Sequence, residues 1–177
     1  IPAFLYRPRT AGPHPVLIDI HDGPGGQFRS GFDAFIQFVV NELGYVVIAP
    51  NIRGSSGYGK SYAALGNGPG REDALRDLGA LLVWVGMQKD LDHAHVAVMG
   101  QSDGGFMALA MLATYGDRLS GAIIADEREP PARTELSRLS PINSLAQIRR
   151  PVLVFQGLQD TVAQVTQAGQ IVAGIRA

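Results

Sequence analysis

The chain has no cysteine, which removes disulfides, thiolate metal sites and a cysteine nucleophile from consideration. It also lacks a surplus of charge of either sign: 15 Lys and Arg stand against 16 Asp and Glu, a formal net charge of −1. Such a balance offers no electrostatic footprint for nucleic acid or for an anionic membrane. No apolar run approaches the roughly 18 residues of a membrane span. The opening residues, IPAFLYRPRT, hold no basic segment followed by an apolar one, so no signal peptide is read there and a cytoplasmic location is expected. A starting Met is lacking too, and the segment reads as a strand, so a piece of a longer or processed protein is expected.

What is present is an ordinary globular composition, 46% hydrophobic and 18% charged over 177 residues. That length supports one domain, residues 1–177, with a sizeable core. Short apolar runs alternate with amphipathic segments, the pattern of a parallel sheet flanked by helices. The expected strands are Ile1–Tyr6, Val16–His21, Tyr45–Ala49, Val96–Met99, Gly121–Ala125 and Val152–Gln156. Most are continuously apolar, as strands covered on both faces should be.

Between them, Ser30 is placed to cap a helix with Asp33 three residues on, and Phe32, Phe35, Ile36, Val39, Val40 and Leu43 recur at helical spacing. Leu75, Leu78, Leu82 and Val85 form a second stripe. Another helix opens after Ser102 and runs through Met107, Leu109 and Met111. A last one spans Val165–Ile175, with Val165, Ala168, Val172 and Ile175 expected inward. Each stripe is read as a core face. Residues 53–72 read as a Gly-rich loop, and residues 127–150 as charged, proline-containing and aperiodic.

Three stretches carry chemistry. Gly100-Gln101-Ser102-Asp103-Gly104-Gly105 follows the apolar strand HVAVM and opens a helix. A serine on a strand-to-helix turn needs small neighbours because the turn is strained, and it meets the free N–H groups of the helix start. Ser102 is therefore the candidate nucleophile. His21-Asp22-Gly23-Pro24-Gly25-Gly26 follows the strand VLIDI, where backbone N–H groups can face a developing oxyanion. The partner donor would be the N–H of Asp103. Finally, VLVFQGLQD is a buried strand with a loop ending in Asp160, the place of the acid in a Ser, acid, His chain order. Asp126, after GAIIA, is the reserve acid. Nothing calls for a metal or a cofactor.

These residues together resemble the catalytic domain of the prolyl oligopeptidase family of serine peptidases, particularly its acylaminoacyl-peptidase and dipeptidyl-peptidase-like members. The matching stretches are HDGPGGQF, GYVVIAPNIRGSSGYGKSY, REDALRDLGALLVW, VAVMGQSDGGFMALAML, LSRLSPINSL and PVLVFQGLQD. The resemblance implies an α/β-hydrolase fold with an eight-stranded, mostly parallel sheet and helices on both faces. It also implies Ser102 as nucleophile, Asp160 as acid, and the N–H groups of Gly23 and Asp103 as the oxyanion hole. Its substrates would be small acyl esters or peptides.

Several features depart from the family pattern. Asp22 and Asp103 stand where relatives usually carry Gly and Tyr, and two carboxylates converging on an oxyanion site are expected to oppose it. The stretch between Gly121 and Pro141 looks shorter than in relatives. The family's histidine follows the acid by about thirty residues, whereas this chain ends 17 residues after Asp160. The C-terminal strand and helix are thus expected to be missing. His14, His93 and His95 precede their strands and so lie at the wrong end of the sheet. His21 has a structural role in the resemblance. Two readings follow: a serine hydrolase of peptidase or esterase type whose histidine is absent from the chain, or an impaired hydrolase fold serving as a binding module. An unpaired edge at Val152–Gln156 is expected to promote self-association.

Overall fold

The computed structural model describes residues 1–23, 25–66, 70–125, 140–159 and 165–176. Six strands form one sheet: β1 (Ala3–Tyr6), β2 (His14–Ile20), β3 (Val46–Pro50), β4 (Leu91–Gln101), β5 (Gly121–Ala125) and β6 (Val152–Phe155). Their spatial order is β1-β3-β2-β4-β5-β6. Only the β1–β3 pair is antiparallel; the other four pairs run parallel. The fold is α/β as expected, with six strands among the described residues where the family resemblance implied eight.

The two faces of the sheet are separated by the period of two along each strand. Val16, Ile18 and Ile20 of β2, with Val46 and Ile48 of β3 and Val96 and Val98 of β4, enter the larger core. It is completed by α3 (Gly70–Met87) and α4 (Asp103–Tyr115). Leu17 and Val47 point the other way and meet α1 (Ala34–Asn41) through Ile36, Val39 and Val40. Helices therefore cover both faces. Every described side chain of α4 from Gly104 to Leu112 is buried, and a helix apolar all round belongs in such a place.

Local details correct the sequence reading. Asp33, not Ser30, caps α1: it has extended backbone and its Oδ1 accepts from Ile36 N–H at 2.9 Å. The helix thus starts later, and Phe32, Phe35 and Leu43 are exposed instead of joining the core. The Gly-rich stretch contains a short helix, α2 (Lys60–Ala64). His93 and His95 lie within β4, which begins at Leu91. In α5 (Val165–Arg176) the inward face centres on Ile171, which is fully buried, while Val165 is exposed. Among the described residues no helix is long and apolar enough to cross a membrane.

Candidate active site

Ser102 sits between the end of β4 and the start of α4, with φ 53° and ψ −117°. It is the one non-glycine residue at positive φ among the described residues. A side chain there costs about 1–3 kcal/mol, and the strain persists because the surroundings fix the turn. Ser102 N–H donates to Ala125 C=O on β5 at 2.9 Å, and Phe106 N–H donates to Ser102 C=O at 3.1 Å. Its hydroxyl makes no capping bond to the helix. The flanking glycines are required by space. A Cβ on Gly100 would lie 2.2 Å from Gly104 O, and one on Gly104 would lie 2.2 Å from Ile20 O. The start of α4 is therefore pressed against the end of β2, which brings the Ser102 turn beside the His21–Gly26 loop.

In that loop Gly23 has φ 62° and accepts a hydrogen bond from Gly26 N–H at 3.1 Å, while Asp22 is exposed. His21 is buried beneath it. The Ser55 hydroxyl donates to Ile52 C=O at 2.6 Å, so His21 Nε2, 2.8 Å from Ser55 Oγ, is the donor to that oxygen. Nδ1 faces Asp22 C=O at 3.1 Å, and the ring stands edge-on to Phe28. The Nε2 bond to Ser55 fixes the ring under the loop as a brace.

Asn51 completes the support. Fully buried, it accepts from Phe28 N–H at 2.7 Å and donates to Phe28 C=O at 3.1 Å and to Tyr58 Oη at 2.8 Å. Tyr62 in turn donates to Asn51 C=O at 2.7 Å. Sequence reasoning missed Asn51 and Ser55, although an Asn directly after the apolar run VVIAP, placed where it must be buried, was a usable signal.

The second correction concerns Asp103. Its carboxylate pairs with the Arg71 guanidinium from the first turn of α3, and Arg71 in turn lies over the Phe106 ring, 5.0 Å from its centroid. Of the two carboxylates expected to converge on the oxyanion site, Asp103 is matched by a guanidinium and Asp22 is exposed. Arg71 carried no signal in the sequence, since contact between residues 71 and 103 depends on how α3 and α4 pack.

Of the remaining site residues, Asp160 and the reserve acid Asp126 lie outside the described residues. His14 heads β2 and its ring nitrogens face Gly44 and Thr10 carbonyls. His95 pairs with Asp92, and this contact, before the backbone bond from Ala94, holds the Asp92 carboxyl below its usual range. These histidines stand at the opposite end of the strands from Ser102. Among the described residues no group of His, Asp and Glu could hold a metal ion. A hollow of about 430 Å³ between β1 and α3 is lined by none of the Ser102 or His21 turn residues.

Residues 30–127 match the model of the prolyl oligopeptidase family, more than half of the chain. The chain belongs to that family. It is 26% identical over 213 residues to dipeptidyl aminopeptidase BIII of Pseudoxanthomonas mexicana, covering 99% of this chain and 31% of the relative. It is 30% identical over 102 residues to the human acylamino-acid-releasing enzyme, covering 57% of this chain and 14% of that protein. The acylaminoacyl peptidase of Pyrococcus horikoshii superimposes with a TM-score of 0.82 at 19% identity, covering 98% of this chain and 32% of that one. The chain thus spans a third or less of the length of these relatives. The fold is the α/β-hydrolase fold of these peptidases.

Proposed function

We propose that the chain is the nucleophile-bearing part of a serine hydrolase of the peptidase or esterase type, acting on small acyl esters or peptides. The observation that carries this is the turn at Ser102, held at φ 53° with its hydroxyl uncommitted to the helix. In the proposed mechanism Ser102 Oγ attacks the acyl carbon, and the leaving group departs to give an acyl-enzyme that water then hydrolyses. The N–H groups of Gly23 and Asp103 stabilise the oxyanion in both halves. Asp160 orients a histidine, and none of the four in the 177 residues is placed to be that base. No cofactor takes part.

The second reading, an impaired hydrolase fold acting as a binding module, is favoured by the placement of those histidines. One measurement separates the two. The natural gene product is treated with a fluorophosphonate and the adduct mapped by mass spectrometry. Modification at Ser102, abolished in Ser102→Ala, is the expected result. Modification at another serine, or none, would leave the binding-module reading standing.

A further inference from the structure

Most carboxylates beside an acyl-transfer centre would raise the barrier, yet this chain carries one on the residue that follows its candidate nucleophile. We propose that Arg71 is a positioning residue: by pairing with Asp103 it cancels the charge that would otherwise oppose an oxyanion at the Ser102 turn. The catalytic half of this inference rests on the serine hydrolase reading; the electrostatic half stands on the pair alone.

Three observations support it. The pair is sheltered, with side-chain exposures of 11% for Arg71 and 23% for Asp103, so water screens it poorly. The Arg71 guanidinium lies over the ring of Phe106, the fourth residue of α4, which holds it against the first turn of that helix. And Arg71 Nε is buried with no hydrogen-bond partner among the described residues. An arginine with one donor unsatisfied costs stability, so its place is better explained by the carboxylate that it neutralises than by packing.

The other charged groups around the pair are already matched or turned away. Arg53 lines a small hollow together with Arg71 and Asp103, but it is bound by Asp77 in a two-point contact and also by Asp73. Glu72 and Asp73 on α3 pair with Arg76. His21 is engaged with Ser55, and Asp22 points to solvent. Among the described residues no second cation stands ready to replace Arg71.

A unit charge about 6 Å from an oxyanion, at an effective dielectric of about 20, changes a rate by roughly 100-fold. The test is a cycle of Arg71→Met, Arg71→Lys and Asp103→Asn in the natural gene product. It is read by the rate of Ser102 phosphonylation and by thermal melts at neutral pH. Arg71→Met is expected to slow labelling by on the order of 100-fold, and Arg71→Lys to restore most of the rate. In the Asp103→Asn background the same Arg71→Met change should cost less than about 3-fold. The melts are expected to place Arg71→Met well below wild type, because the change leaves the sheltered Asp103 carboxylate without its partner. In the Asp103→Asn background that gap should shrink. Equal losses in both backgrounds, or a labelling rate unchanged in Arg71→Met, would overturn the inference. If wild type itself is not labelled, the hydrolase reading falls instead. The melts then decide the pairing: a gap of the same size in the Asp103→Asn background sinks it.

Discussion

Strands β3 and β6 are both continuously apolar and live in opposite environments. β3, VVIAP, is buried at all five positions; β6, VLVF, alternates, with Leu153 52% and Phe155 55% exposed. β3 has a neighbour on each side and helices on both faces. β6 pairs with β5 alone among the described residues, and only its Val152 and Val154 face the core. An apolar run thus reports that a strand is suited to burial, and its neighbours decide whether it is buried. One register row crosses between the two regimes: Asp19, Met99, Ile123 and Leu153 stand side by side. Along it Asp19, a polar residue, is half-buried like Met99 and Ile123, while the last apolar residue, Leu153, is exposed.

The contrast can be broken by mutation, starting with the largest effect. Ile48→Ala in β3 should lower unfolding free energy by about 3–4 kcal/mol, against less than about 1 kcal/mol for Leu153→Ala in β6. Equal losses in urea titrations would mean that coverage does not distinguish the strands.

Next comes Asp19, whose carboxyl is pushed up to about 6 by burial first and by the charge of Asp33 second. The folded state therefore holds this proton more tightly than the unfolded chain does. The sheltered neutral form is present at low pH, and stability is lost as pH climbs from about 4 through about 6. Asp19→Asn should stabilise the protein above that window by up to about 3 kcal/mol and leave it unchanged near pH 4. Parallel stability curves for the two proteins would refute this.

Asp33→Ala should cost about 1 kcal/mol through the lost cap on α1. Above pH 6 the cost should shrink, because removing Asp33 also relieves Asp19; a cost independent of pH would uncouple the two. The smallest energetic change is Leu153→Lys, expected to leave stability within about 0.5 kcal/mol while reducing self-association through the β6 edge in sedimentation experiments. A monodisperse monomer before and after the change would remove the edge as an interface.

Much of the fold could be read in the sequence because parallel strands are continuously apolar and their helices carry periodic stripes. Gly121–Ala125 was legible to the residue, and the Ser102 turn was legible because glycine on both sides is a steric need visible as letters. Errors arose where two signals compete. Phe32 and Phe35 fit a helical stripe, but Asp33 captured the cap and rotated the apolar face onto Ile36, Val39 and Val40. His93 and His95 are polar, so the long first half of β4 escaped notice. The Arg71–Asp103 pair was illegible for another reason: it joins residues distant in the chain whose meeting depends on tertiary packing.

The bracing of the His21–Gly26 loop has a consequence for timing. His21 and Phe28 are fastened to Ser55 and Asn51 instead of to their own strand. Residues 21–28 and 51–62 should then open as one cooperative unit in hydrogen exchange, with a shared opening free energy and a shared response to denaturant. Loosening any one of these three hydrogen bonds would set both loops fluctuating together. The fluctuations of the Gly23 backbone would therefore be governed by a polar cluster that lies beneath the loop.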